Sequence, residues 1–259
     1  METARLVVFA LFGLIFGSFL TVVVHRVPHG ASIGGRSECP RCGAVVRARD
    51  NIPLVSYLLL RGRCRVCGNP ISPRYPLTEV ATAGLFAAAA ATFDSPALAI
   101  PGAIFLGLML AIALIDARHR IVPNRIVYPS LAALAVGVVL ADLLGAGIDA
   151  PRAFIGMLAY AAPLLAVAFA VPGGMGMGDV KLAALIGLSL GGLGLSYVAV
   201  AAGVGIIGGG VGALVAMAAF RCGRKQQIPF GPFLAAGGVV AMLGAPAITG
   251  AYLSLVGLG

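Results

Sequence analysis

Asp116 closes an apolar run, LAIPGAIFLGLMLAIALI (98–115), and Asp179 stands in VPGGMGMGDVK (171–181), a glycine-rich link between two further apolar runs. An ionisable side chain inside or at the rim of a membrane segment is costly unless it faces protein or water, so such a residue is first a functional hypothesis. Two carboxylates on two such segments are the minimum equipment for acid–base hydrolysis. The charged one activates water, and the protonated one polarises the bond under attack. Gly173, Gly174, Gly176 and Gly178 remove side chains just ahead of Asp179, which leaves room for an extended peptide. Gly176, Gly178 and Lys181 are accordingly expected to face substrate. Other roles compete. Asp179 suits a helix amino terminus as a cap. Asp116, at a helix carboxyl end, opposes the helix dipole unless Arg118 or Arg120 compensates it. The residues alone leave catalysis, structure and proton transport open.

A second constellation lies in the polar segment 25–76. ECPRCGAV (38–45) and GRCRVCGNP (62–70) each hold Cys-x-x-Cys followed by Gly, with 21 residues between Cys42 and Cys64. Cys39, Cys42, Cys64 and Cys67 at this spacing match a tetrahedral structural zinc site built from two knuckles. The glycine after each pair suits a tight turn close to the sulfurs. Disulfides or free thiols are the alternative, and a reducing cytoplasmic location disfavours the former. Cys222, alone at a membrane boundary, reads as a small hydrophobe.

The elements that position these groups are membrane helices. The chain is 60% hydrophobic and 10% charged, with mean hydropathy +1.03, where a soluble domain has roughly a quarter of its residues charged. Most apolar runs reach the ~17–25 residues that a spanning helix needs. The sequence predicts an all-α polytopic membrane protein of about eight transmembrane helices, near 4–24, 77–93, 98–115, 127–145, 153–171, 180–190, 195–219 and 232–256. The sixth is the shortest. Residues 6–24 read as a first anchor rather than a cleaved signal, because only Arg5 precedes them and no small-residue cleavage site follows.

With the amino terminus outside, the links 25–76, 116–126, 172–181 and 220–231 fall on one side and hold 16 of the 18 Lys and Arg. Positive charge marks the cytoplasmic face. The net charge of +9 is thus a topology signal, and no nucleic-acid partner is expected. Three divisions follow: a first transmembrane helix (1–24), a cytoplasmic, zinc-ribbon-like Cys₄ loop (25–76) and a transmembrane bundle (77–259). The pairs Gly13 and Gly17, Gly205 and Gly209, and Gly208 and Gly212 are read as packing positions where helix backbones approach.

Several stretches together resemble the bacterial type IV prepilin leader peptidases, a family of GxGD membrane aspartyl proteases. They are GSFLTVVVHRVP (17–28), NIPLVSYLLLRGRC (51–64) between the Cys knuckles, ALIDARHRIVPN (113–124), GMGMGDVK (174–181) and IPFGPFLAAG (228–237). The resemblance implies that Asp116 and Asp179 cleave the basic leader of prepilins or pseudopilins at the cytoplasmic face of the bacterial inner membrane. It implies that the Cys-bearing loop belongs to members that also methylate the new amino terminus with S-adenosylmethionine. Position 21 is Thr where the family commonly has Asn. Two rivals remain to be weighed: a proton-coupled transporter using both aspartates near the membrane midplane, and a membrane-anchored zinc module without catalysis.

Overall fold

A computed structural model of the chain describes residues 2–171, 174–220 and 229–257. Gly173, Cys222 and Ile228 lie outside these residues. The described residues form nine α-helices: α1 (Glu2–Arg26), α2 (Val55–Leu59), α3 (Arg74–Thr92), α4 (Pro96–His119), α5 (Asn124–Leu143), α6 (Ala150–Ala170), α7 (Met177–Gly191), α8 (Leu195–Phe220) and α9 (Gly231–Leu255). The eight long ones fall where the apolar runs predict them. Six are long and apolar enough to cross a membrane: α1, α4, α5, α6, α8 and α9. The expected count of about eight spans is corrected accordingly. The 15 residues of α7 rise only about 22 Å, short of a ~30 Å hydrocarbon core. The first turns of α3 carry Arg74, Tyr75, Thr78 and Glu79, which dilute its apolar length.

The chain forms two compact units, Met1–Ala111 and Ile112–Gly259. In the first, α1 packs on α3. A Cβ at Gly13 would stand 2.6 Å from the Ala83 Cα, and one at Gly17 would stand 2.7 Å from the Glu79 Cα. These two glycines therefore serve close backbone approach, as their spacing suggests. Phe16 and Phe86 meet across the same seam, with ring centroids 5.4 Å apart and planes tilted by 37°.

In the second unit α7 packs against α5, α6, α8 and α9. It is buried along most of its length, from Val180 to Gly191. A helix surrounded by protein has no need to match the lipid thickness, which reconciles its shortness with its place. Glycines set the approach of its neighbours. A Cβ at Gly156 of α6 would stand 2.7 Å from both the Gly187 carbonyl oxygen and the Gly191 Cα of α7. Gly205, Gly208, Gly209 and Gly212 of α8 face Leu234, Phe230 and Phe233, consistent with a packing role. The Tyr160 hydroxyl, deep on α6, donates to the Ala201 carbonyl of α8 at 3.2 Å, so a buried polar atom is satisfied.

Candidate active site

Asp116 is the fourth residue from the carboxyl end of α4. Its helix ends when Arg120 takes a left-handed conformation (φ 54°) and donates its N–H to the Asp116 carbonyl at 2.8 Å. This bond caps the helix and turns the chain through Ile121 and Val122 towards α5. The Asp116 residue is only 4% exposed. Its Oδ2 accepts the backbone N–H of Gly231, the first residue of α9, at 3.0 Å. Among the described residues no ion pair joins Asp116 to Arg118 or Arg120. Compensation for its unfavourable helix end comes instead from the amino terminus of another helix, where backbone N–H groups point outward and favour an anion.

Asp179 is the third residue of α7. The amino-terminal cap is Gly176, and the Asp179 carboxylate accepts the Gly176 backbone N–H. This is the half of a capping box in which the third helical residue reaches back to the cap. The carboxylate therefore does fill a capping geometry, but with its own helix start. Lys181, next but one, belongs to α7 rather than to the preceding link. Its Nζ donates to Asn124 Oδ1 at 3.1 Å and lies 4.9 Å from the centre of the Tyr128 ring, a favourable seat for an ammonium.

One cleft of about 310 Å³ collects these groups. Asp116, Arg120, Val122, Asn124, Asp179 and Lys181 line it, together with Ile121, Gly176 and Gly178. Every site residue predicted around the aspartates is thus brought together. The glycines are used differently from one another. A Cβ at Gly178 would stand 2.9 Å from the Val122 Cβ, so that glycine admits the α4–α5 turn against α7. A Cβ at Gly176 would lie 3.2 Å from Asp179 Oδ2. Gly231, Asn124 and Tyr128 carry no role in the sequence reading. Gly231 lies in the IPFGPF stretch, but nothing local to that stretch ties it to a residue 115 positions earlier.

The Cys knuckles have matching folds. Cys39 N–H donates to the Ala44 carbonyl at 2.9 Å, and Cys64 N–H to the Asn69 carbonyl at 2.8 Å. Gly43 and Gly68 both sit at φ 69°, the left-handed region that glycine enters without strain. The four Sγ atoms lie within 4.8 Å of one another, and those of Cys39 and Cys67 are 3.9 Å apart. Tetrahedral zinc with bonds near 2.3 Å needs sulfurs about 3.8 Å apart, so the donor set fits the ion. Asn69 donates from its side-chain amide to Cys67 Sγ at 3.3 Å. This contact, with the Asn69 backbone N–H, pulls the Cys67 thiol down to about 6. The Ala44 backbone N–H works in the opposite sense to desolvation and to the neighbouring Cys67 and Cys39 at Cys42, whose thiol ends up at about 11. A metal bound at this cluster takes the sulfurs as thiolates and releases their remaining protons. Behind it, Arg65 grips Asp50 with a fork of hydrogen bonds, Nη2 to Oδ1 at 2.7 Å and Nε to Oδ2 at 2.9 Å.

With both sites described, the likeness to known proteins is decisive. Residues 11–93 match the Bacterial Peptidase A24 N-terminal domain, and residues 103–254 match the Type IV leader peptidase family. The chain belongs to the type IV leader peptidase family. Relatives called prepilin leader peptidase/N-methyltransferase are similar over nearly the whole chain. That of Bacillus subtilis is 34% identical, covering 95% of this chain and 96% of its own. That of Aeromonas hydrophila is 34% identical over 94% and 92%, and one from Burkholderia pseudomallei 36% over 89% and 82%. No solved structure matches. Family membership favours neither a transporter nor an inert zinc module.

Proposed function

We propose that the chain is an aspartic endopeptidase that removes the leader of prepilins or pseudopilins, with Asp116 and Asp179 as its catalytic pair. The observation that carries this reading is that both carboxylates line one cleft, each at a helix end rather than mid-helix. A midplane ion relay would ask for the latter. Two carboxylates around one substrate site oppose each other's ionisation, so that one holds a proton. The ionised partner takes a proton from water, whose oxygen attacks the scissile carbonyl carbon. The protonated partner donates a hydrogen bond to the carbonyl oxygen, and the C–N bond breaks as the amine is protonated. Gly176, Gly178 and Lys181 form the substrate-facing side of the cleft. The basic links of the second unit mark the cleft side of that unit as cytoplasmic, in the bacterial inner membrane.

Cys39, Cys42, Cys64 and Cys67 would hold a structural zinc ion, which supplies folding stability to a loop poor in apolar residues. Methylation of the new amino terminus is supported by the relatives' name. The buried carboxylate of the first unit, Glu79, already accepts the Leu54 N–H and the Ser18 hydroxyl. No residue of the first unit is assigned to S-adenosylmethionine. Thr21 is also turned inward, its hydroxyl donating to the Ser18 carbonyl of its own helix at 2.7 Å.

The test is leader cleavage by purified Asp116→Asn and Asp179→Asn variants in lipid. Each should insert normally and lose peptidase activity, because the two carboxylates have separate roles. Retained cleavage in either variant overturns the assignment.

A further inference from the structure

The five-residue helix α2, between the two Cys knuckles, turns its apolar side chains outward. Leu58 is 64% exposed, Leu59 76% and Val55 48%. Three neighbouring apolar side chains in the open, on a segment otherwise rich in arginine, call for a covering surface. The helix is not free to move. Its first residue follows a γ-turn in which Val55 N–H bonds the Pro53 carbonyl and Leu54 sits at φ 60°, ψ −49°, a conformation that costs a non-glycine residue energy and persists only when its surroundings impose it. The imposing contact is Glu79 Oε2, which accepts the Leu54 N–H at 2.7 Å. Ser56 adds a second tie, its hydroxyl donating to the Arg49 carbonyl at 2.9 Å.

Glu79 fixes the level of α2 along α3. It lies on α3 about 7.5 Å along the axis from Arg74, at 1.5 Å per residue. On that same turn of α3, Leu77 is 64% exposed and Val80 49%. The wall of α3 at this level is therefore already apolar and open. Arg61 and Arg63 follow α2 directly and are exposed, as is Arg74 at the start of α3.

We propose that α2 is an interfacial anchor that lays Val55, Leu58 and Leu59 into the boundary between headgroups and acyl chains of the protein's own membrane. Arg61, Arg63 and Arg74 meet anionic lipid headgroups beside it. The occupant is lipid on two grounds: α2 is tied to α3 at a level where α3 itself shows an apolar surface, and the flanking cations complement an anionic leaflet. The cysteine knuckles then lie flat against the membrane rather than standing away from it.

The chain has no tryptophan, so Leu59→Trp makes a single fluorescent reporter in the full chain. The variant is reconstituted into phosphatidylglycerol/phosphatidylcholine vesicles, with and without brominated acyl chains. The proposal expects blue-shifted emission, loss of intensity with the brominated lipid, and weak quenching by acrylamide. Red-shifted emission, open to acrylamide and indifferent to bromine, overturns it. So does blue-shifted emission indifferent to bromine, which means that protein covers the helix. Leu58→Trp repeats the measurement should Leu59→Trp fail to fold. Adding Arg61→Gln and Arg63→Gln should weaken bromine quenching in the anionic vesicles. Unchanged quenching overturns the role of the arginines.

Discussion

The backbone N–H of Gly231 donates to Asp116 Oδ2 at 3.0 Å, and a Cβ at position 231 would stand 2.6 Å from that same oxygen. The two statements are one relationship. The carboxylate is buried between helices α4 and α9, and only a residue without a side chain lets the α9 amino terminus come close enough to serve it.

Gly231→Ala should therefore displace Asp116 while leaving its identity intact. A misplacement of about 1 Å in a catalytic group can cost roughly 100-fold in rate. Single-turnover leader cleavage is expected to fall by about that factor, with membrane insertion unaltered. Activity within a few-fold of the parent would show that the bond is dispensable.

Gly178→Ala makes a different prediction, because its obstacle is a side chain. The added Cβ would meet the Val122 Cβ at 2.9 Å, pushing apart the α4–α5 turn and the start of α7, which carries Asp179. The single variant should lose cleavage, and Val122→Ala placed on top of it should restore a good part. A double-mutant cycle on cleavage rate measures that coupling. Strict additivity would mean that the two residues do not meet.

Metal analysis of protein purified without strong chelators is expected to find about one zinc per chain, as a four-cysteine site requires. Cys39→Ser or Cys64→Ser should abolish binding and open residues 25–76 to proteolysis. Asn69→Ala removes the donor to Cys67 Sγ and should weaken zinc affinity by roughly 10–100-fold, the usual size for a residue that orients a ligand. Zinc binding by Asn69→Ala at parental affinity would leave the amide without that role.

The Asp50–Arg65 fork gives a pH dependence. The Arg65 hydrogen bonds hold the Asp50 carboxyl below its usual range. A depressed carboxyl contributes stability that is complete above its unfolded value, about 3.9, and that is lost as the pH falls through the folded value. Asp50→Asn should therefore make residues 25–76 more protease-sensitive at pH 7. The difference between variant and parent should shrink in acid, below about pH 4. A difference that stays constant through that range would place the effect outside the ion pair.

The sequence by itself determined the helices and the chemistry-bearing residues. Apolar runs of spanning length locate α1, α4, α5, α6, α8 and α9, because in lipid a single segment satisfies its own backbone hydrogen bonds only as a helix. The Cys-x-x-Cys-Gly repeats locate the knuckles and their turns at Gly43 and Gly68, because both the ligand spacing and the left-handed turn are local requirements. Asp116 and Asp179 announce themselves by being acids among apolar residues. Only the tertiary structure decided what surrounds the acids and what surrounds the short α7. A 15-residue α7 is acceptable because neighbouring helices cover it, and helix burial is a property of the neighbours. Gly231 beside Asp116, Val122 against Gly178 and Lys181 on Asn124 join residues that are 115, 56 and 57 positions apart. No local pattern encodes such pairs. They exist because glycine-lined seams allow the helices to close until backbone and carboxylate meet.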